Sequence, residues 1–408
     1  MNKTSQVSVI GQGYVGLTLA IGAAKSGHEI FGIDVNTELI DMLLMGKTHI
    51  PGVTKNEIKD LIVNKKYKPT VDFSKVAESS VVIIAVPTPL NSYREPDLDY
   101  LKKASIEIAN FVRPGTLIIN ESTSYPGTLR NYIKPLIEAK SKLDLLYVSA
   151  PERIDPGNTQ WTINNTPRII GGLSNEAIDK AFNFYSSFCE SVNVVSSPEV
   201  AEAAKLFENT FRQINIALAN EFSIISSAIG FSTNEAIVAA ATKPFGFMPF
   251  FPSIGVGGHC IPIDPSYLSF AANLFGVRAN FIELANSTNL NMVEHVVEKI
   301  SRYLEKPLQN LKIQIIGIAY KAGVSDLRES PALDLILELR SRGANVIWND
   351  PLVGEWNGER SSPIETSIDL GILVNPFNLS DLKVWSQAGT RVIDLSANSF
   401  DYGWPKFL

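Results

Sequence analysis

A short apolar run, Val7-Ser8-Val9-Ile10, passes directly into Gly11-Gln12-Gly13-Tyr14-Val15-Gly16 and then into Leu17-Thr18-Leu19-Ala20. Strand, G-x-G-x-x-G and helix in that order leave few folds open. Gly11 permits the tight turn, Gly13 lets a diphosphate approach the backbone, and Gly16 allows close packing of the helix, whose first N–H groups face the anion. Tyr14 and Val15 complete this turn and count with the glycines as cofactor contacts. Asp34 ends the next apolar run, near the expected spacing of roughly 20 residues. A carboxylate there accepts from ribose hydroxyls and repels a 2′-phosphate, so the motif predicts a βαβ unit that binds NAD in preference to NADP.

The rest of the chain extends this reading. Apolar runs at residues 81–86, 116–119, 144–148 and 168–171 follow those at 7–10 and 29–33, separated by amphipathic stretches. Buried parallel strands with covering helices produce that rhythm. Residues 198–230 form a long helical pattern opened by Pro198 and closed by Gly230, and residues 244–265 are dense in aromatics, proline and glycine, a loop composition. After Pro307 the opening order returns: a strand at 312–316, Gly317, a helix at 330–342, a strand at 345–348 and Asp350. The predicted fold is α/β, two Rossmann-like parallel-sheet domains joined by a long central helix, with domains at 1–197, 198–306 and 307–408.

Charge and composition remove other classes. Thirty-six basic residues against 42 acidic ones give a net charge of −6, without a basic stripe, which argues against a nucleic-acid or anionic-membrane surface. The uncharged stretch at 244–263 carries too many backbone breaks to span a lipid core. Two cysteines, Cys189 and Cys260, do not make a disulfide framework, and the amino terminus lacks a signal-peptide pattern, so a reducing cytoplasm is expected. His28, His49, His259 and His295 are scattered, and no metal site is expected.

Three places hold chemistry. Strand ends at Thr88 and Thr123 fall where ligands sit in parallel sheets, which places both hydroxyls to touch cofactor or substrate, although Thr88 reads nearly as well as a helix cap. Cys260 lies in Gly255-Val256-Gly257-Gly258-His259-Cys260-Ile261-Pro262-Ile263-Asp264-Pro265. A thiol beside a nicotinamide can capture an aldehyde as a thiohemiacetal, whose oxidation leaves a thioester for water to cleave. Cys189, in an amphipathic segment, reads as a core thiol. Lys205 and Asn209 share a helix face by their spacing, but with Glu202 and Glu208 alongside that face reads by itself as solvated, and Glu152 reads as a surface-loop carboxylate.

Together G-Q-G-Y-V-G, V-P-T-P, E-S-T, P-E-R-x-x-P-G, A-E-A-A-K-L-x-E-N, G-V-G-G-H-C-I-P-x-D-P and Y-K-x-x-x-x-D-x-R-E-S-P-A resemble the UDP-glucose/GDP-mannose 6-dehydrogenases over almost the whole chain. The resemblance implies oxidation of a nucleotide-sugar C6 alcohol to the carboxylate with two NAD+ and no metal, by a homodimer or higher homo-oligomer. It implies that Cys260 is the nucleophile and that Lys205 and Asn209 donate to the oxyanion. It further implies that Glu152, Thr123 and Asp264 position water and assist proton transfer. Substrate contacts implied in the same way are Glu152, Arg153, Lys205, Asn209, Gly257, Lys321 and Arg328, while Glu329 reads as a local ion-pair partner.

Departures from the family pattern narrow the substrate. The UDP-glucose enzymes typically place an arginine where this chain has Pro244. Lys243-Pro244-Phe245-Gly246-Phe247, the Arg94-Glu95-Pro96-Asp97 stretch and Pro151-Glu152-Arg153-Ile154-Asp155-Pro156-Gly157-Asn158 look more like bacterial UDP-N-acetylglucosamine 6-dehydrogenases of surface-polysaccharide synthesis. Ser325 replaces the usual threonine, and Leu373-Val374-Asn375-Pro376-Phe377 stands where the family often shows a polar pair. UDP-N-acetylglucosamine is therefore the first expected substrate, with UDP-glucose and UDP-N-acetylmannosamine as alternatives. A rival of another class is a non-catalytic NAD- or nucleotide-sugar-binding regulator that retains the fold. An epimerase-type Tyr-x-x-x-Lys pair occurs only at Tyr402 and Lys406, broken by Gly403 and Pro405.

Overall fold

The computed structural model describes residues 5–50, 52–154, 158, 160–376, 382–397, 403–404 and 406–408. Two compact units divide it, Met1–Glu208 with Ser266–Val277, and Asn209–Pro265 with Arg278–Leu408.

The first unit is built on strands β1 (Gln6–Ile10), β2 (Glu29–Ile33), β3 (Tyr67–Thr70), β4 (Val81–Ile84), β5 (Leu117–Asn120), β6 (Leu146–Ser149), β7 (Arg168–Gly172) and β8 (Val192–Val194). Their order in the sheet is β3-β2-β1-β4-β5-β6-β7-β8, parallel except between β6 and β7. Reversal of the strand order at β1 and β4 makes the crevice in which such sheets hold ligands. Val7, Val9, Ile83 and Ile119 are wholly buried in one apolar cluster, and Val82, Ile84 and Ile118 in another. Apolar side chains on both faces explain why these strands read as continuous runs and not as alternations. Burying each such side chain contributes about 1.5–3 kcal/mol.

The six strands expected in this half are present with ends shifted by up to two residues, but β7 pairs antiparallel with β6 where a parallel strand was expected. Two others were not legible. Tyr67–Thr70 is a four-residue edge strand containing Pro69, and Val192–Val194 is a three-residue edge strand with exposed side chains, so neither carries a periodic pattern.

The second unit holds β9 (Lys312–Ile316), β10 (Asn345–Asn349), the short hairpin β11 (Glu355–Trp356) and β12 (Glu359–Arg360), β13 (Leu370–Leu373) and β14 (Val392–Asp394). The main sheet is parallel throughout, ordered β10-β9-β13-β14. β13 is packed tightly enough that a Cβ on Gly371 would stand 2.6 Å from the Trp385 ring.

The long helix spans Pro198–Ile229. Ser197 Oγ accepts from Val200 N, proline opens the first turn, and Gly230, at φ +96°, ends the helix with Gly230 N and Phe231 N both donating to Ser226 O. It supplies residues to both units, the division falling between Glu208 and Asn209. Among the described residues no helix is long and apolar enough to cross a membrane.

Candidate active site

The dinucleotide turn separates the tasks of its three glycines. Gly11 has φ +90°, and a Cβ there would lie 2.4 Å from Ala85 O. A Cβ at Gly16 would lie 1.8 Å from Gly11 O. Gly13 is different: its Cβ would meet no protein atom within 4 Å, and it caps the helix Tyr14–Lys25 without a side-chain hydrogen bond. Packing therefore demands glycine at 11 and 16, whereas at 13 it leaves open space at an uncapped helix start, which fits a diphosphate. Asp34 sits half-buried at the end of β2, its Oδ2 accepting from Gln12 N at 2.7 Å and Oδ1 from Asn36 N at 2.9 Å.

Gln12, which the sequence reading passed over, holds this turn from below. Fully buried, it donates to Val9 O at 2.8 Å and Gly11 O at 3.1 Å, while its Oε1 accepts from Tyr67 Oη at 2.7 Å. The only sequence signal was a polar residue between the first two glycines.

Thr88 does not cap a helix, since the next helix begins at Asp99 with Leu98 as its cap. Its carbonyl and that of Pro89 accept from Tyr267 Oη at 3.1 and 3.4 Å. Thr123 lies just beyond β5, half-buried, between Ser122 and Ser124, which are both buried. Ser122 Oγ donates to Val86 O at 2.8 Å, joining the two strand-end loops.

Two surface readings are overturned. Glu152 is buried, its N–H donating to Glu121 O at 3.5 Å and its Oε1 accepting from Ile154 N. Glu202 is only 2 % exposed. Its carboxylate accepts from Gly127 N at 2.7 Å, Leu129 N at 3.0 Å and Ser124 Oγ at 3.5 Å. Lys205, one turn further on, is buried as well, so this stretch of helix is an interior face. Glu208 does lie outward and takes both Nε and Nη2 of Arg153, at 3.0 and 2.6 Å, while Arg153 Nη1 donates to Pro167 O. Arg153, expected at the substrate, thus anchors its own loop.

Behind Thr123 lies a buried ion pair absent from the sequence reading. Arg168 Nη1 stands 3.4 Å from Glu121 Oε2, and Tyr185 Oη donates to Glu121 Oε1. Burial pushes the Glu121 carboxyl up while Arg168 and the Tyr185 hydroxyl pull it down. Cys189, whose Sγ donates to Ile163 O at 3.4 Å, is buried, and burial pushes its thiol up, which fits the inert role read from the sequence.

The second unit carries the cysteine loop. Asp264 N donates to Cys260 O at 2.8 Å, and Asn209 Nδ2 donates to Asp264 Oδ2 at 2.6 Å, so Asn209, Cys260 and Asp264 belong to one hydrogen-bonded set. Asp264 is 1 % exposed and Cys260 half-buried. The glycines here answer to the protein's own chain. A Cβ on Gly257 would meet Tyr320 Cβ at 2.9 Å and Glu329 O at 3.0 Å, and Gly258, at φ +89°, donates its N–H to Arg328 O. They let the loop press on the 320–331 segment of the protein.

Arg328 is exposed and bidentate on Asp326, Nε to Oδ1 at 3.0 Å and Nη2 to Oδ2 at 2.6 Å. That pairing, and then the thiol of Cys260, raise the guanidinium's proton affinity. Lys321 is half-buried in the same segment. Asn375 donates to Ala319 O at 2.8 Å, while Phe377, Asp155, Pro156, Gly157 and Tyr402 lie outside the described residues. No cluster of three or more metal-ligating side chains occurs among the described residues.

Comparison with known proteins agrees in kind. Residues 5–189 match the NAD binding domain of the UDP-glucose/GDP-mannose dehydrogenase family, 199–291 its central domain and 314–378 its UDP binding domain. A UDP-N-acetyl-D-mannosamine dehydrogenase of Campylobacter jejuni is 35% identical over 358 residues, 85% of this chain and 86% of the relative. A UDP-N-acetyl-D-glucosamine 6-dehydrogenase of Pseudomonas aeruginosa is 33% identical over 359 residues, 86% and 84% of the two chains. The solved structure of a UDP-D-ManNAc dehydrogenase from Pyrococcus horikoshii superposes with a TM-score of 0.88 at 33% identity, covering 97% of this chain and 96% of that one. Fold, dinucleotide turn and these matches place the chain in the UDP-glucose/GDP-mannose dehydrogenase family, as an NAD-dependent nucleotide-sugar dehydrogenase.

Proposed function

We propose that the enzyme oxidises the C6 alcohol of a UDP-N-acetylhexosamine to the uronic acid, removing four electrons in two steps through a covalent Cys260 intermediate. The observation that carries this reading is the bond from Asn209 Nδ2 to the buried Asp264, whose backbone N–H donates to the carbonyl of the half-buried Cys260. NAD+, when held at the Gly11–Gly16 turn with its ribose at Asp34, would supply the hydride acceptor for both oxidations. Glu152 and Lys205, both buried, assist departure of the alcohol proton in the first. Cys260 Sγ then adds to the aldehyde carbon, and Lys205 with the Asn209 amide stabilises the oxyanion. An amide nitrogen carries two N–H groups, of which one is donated to Asp264. Loss of the second hydride leaves the thioester, and water held by Thr123, Glu152 and Asp264 cleaves the C–S bond, returning the thiol. Alcohol, two NAD+ and one water thus give carboxylate, two NADH and their protons.

Gly257, Lys321, Arg328 and Arg153 are assigned to the sugar and diphosphate, the last two after release from Asp326 and Glu208. The Pro244 and Arg94–Asp97 patterns favour UDP-N-acetylglucosamine, and the relatives named UDP-N-acetylmannosamine dehydrogenases put that epimer beside it. The reactive thiol suits a reducing cytoplasm. Homodimer formation is supported by Phe211, Leu218, Ile225 and Ile229, exposed apolar residues seven, seven and four apart along the long helix.

Purified enzyme given UDP-GlcNAc, UDP-ManNAc, UDP-GalNAc or UDP-glucose should release two NADH per sugar with the preferred one. One NADH with a free aldehyde overturns the thioester step. C260S should stop acid formation while NAD binding persists, and wild-type acid formation by C260S removes Cys260 from its role.

A further inference from the structure

Glu202 is one of the buried carboxyl side chains of the first unit. It comes from the long helix, yet it receives Gly127 N–H and Leu129 N–H, the donors that open the helical turn at Leu129–Ile133, together with Ser124 Oγ–H. Ser124 Oγ in turn accepts from Asn120 Nδ2 at 3.2 Å, and the same amide donates to Ser122 O at 3.1 Å. Residues on both sides of Thr123 are therefore held, one through Asn120 at the end of β5 and one through Glu202. Thr128 Oγ1 closes the loop on itself by donating to Tyr125 O at 2.6 Å. Glu202 stands three residues before Lys205 on one continuous helix, so whatever fixes its carboxylate fixes the first turns that carry the lysine.

A carboxyl that takes two backbone N–H groups acts as a cap supplied from another element; burial pushes the pKa of Glu202 up to about 8, against the pull of the Leu129 and Gly127 N–H groups and of Ser124. Without it, two buried N–H donors would stand unpaired, each costing on the order of 1–3 kcal/mol.

We propose that Glu202 is a positioning residue, a clamp between the loop bearing Thr123 and the helix bearing Lys205 that holds these two groups at one spacing through both oxidations. The proposal rests on the catalytic reading of Thr123 and Lys205 given above. It acts through those groups, without contact with substrate or NAD.

A double-mutant cycle tests it. Gln can accept from one N–H at its oxygen but turns an NH2 toward the other, so E202Q keeps the shape of the side chain and breaks half of the clamp. E202Q should lower kcat by on the order of tenfold to a hundredfold, the scale of a displaced reacting group. KM for NAD should stay at the wild-type value, because the dinucleotide turn is supported by Gln12 and Asp34. T123A should itself be slow, and adding E202Q to T123A should cost far less than E202Q costs alone, since the group being positioned is already gone. Should E202Q fail to fold, S124A, which removes the hydroxyl between Asn120 and Glu202, replaces it in the same cycle. Full additivity in a slow T123A background, or an E202Q effect confined to thermal stability, overturns the clamp and leaves the site reading intact. Wild-type turnover by T123A overturns the site reading first, and the clamp with it.

Discussion

Single residues in the dinucleotide turn make opposite demands that can be measured apart. Gly13 has φ −69°, which alanine adopts freely, and a methyl there meets nothing in the protein. G13A should therefore fold with stability within about 0.5 kcal/mol of wild type, while its NAD dissociation constant rises on the order of tenfold, about 1.4 kcal/mol. G16A must place its Cβ against the Gly11 carbonyl. Overpacking of this kind costs about 1–3 kcal/mol, and a rigid backbone atom as the obstacle puts G16A at the upper end, read as a lower urea midpoint. Equal effects of the two substitutions on stability would show that the space at Gly13 is not reserved for a ligand. These positions were legible in the sequence because each glycine has one cause. The glycines of the cysteine loop were legible as a site but not in their cause, since Tyr320 and Glu329 stand 63 and 72 residues downstream of Gly257 and no local spacing announces them.

Between elements, the Glu121–Arg168 pair ties the end of β5 to the start of β7, where the sheet changes from parallel to antiparallel. Removing one partner of a buried pair strands the other charge, so R168M should lose about 3–5 kcal/mol in a urea titration, and the double variant R168M/E121L should recover much of it. His28 links residues before β1 to the turn that follows the helix Asn175–Tyr185: Nδ1 accepts from Ser5 N, so Nε2 carries the proton to Ser187 Oγ. Burial lowers its pKa below the usual 6.5. The unfolded chain thus takes up a proton first as pH falls, and the stability His28 supports is complete above about 6.5 and lost below it. The urea midpoint should drop between about pH 7.5 and about pH 5.5 more in wild type than in H28N. Neither contact could be read in advance, because a buried charge looks in sequence like any surface charge; Glu202 and Glu152 were misread on the same ground. The two Asp-ended strands also looked alike. Asp350, however, is buried and accepts from Ile318, Ala319, Leu352 and Val353 N–H groups, which leaves the half-buried Asp34 as the one suited to ribose.

On the scale of the whole molecule, the repeated strand, glycine, helix, strand and aspartate order made the start of both sheets legible, whereas Leu370–Leu373, an apolar run interrupted by Gly371, and the three-residue Val392–Asp394 were not read as strands. The apolar stripe on the long helix predicts that L218E/I225E sediments as a smaller species than wild type, and unchanged sedimentation places self-association elsewhere. The chain passes between its two compact units three times, after Glu208, Pro265 and Val277. The returning segment brings Tyr267 to the carbonyls of Thr88 and Pro89 and sets Phe270 5.5 Å from Tyr125, ring centroid to centroid. A gene fusion that exchanged the NAD-binding half at one junction would leave twelve residues of it in the other parent. Inheritance by single crossovers should accordingly treat the two halves as one cassette, and a working chimera needs breakpoints at all three passages.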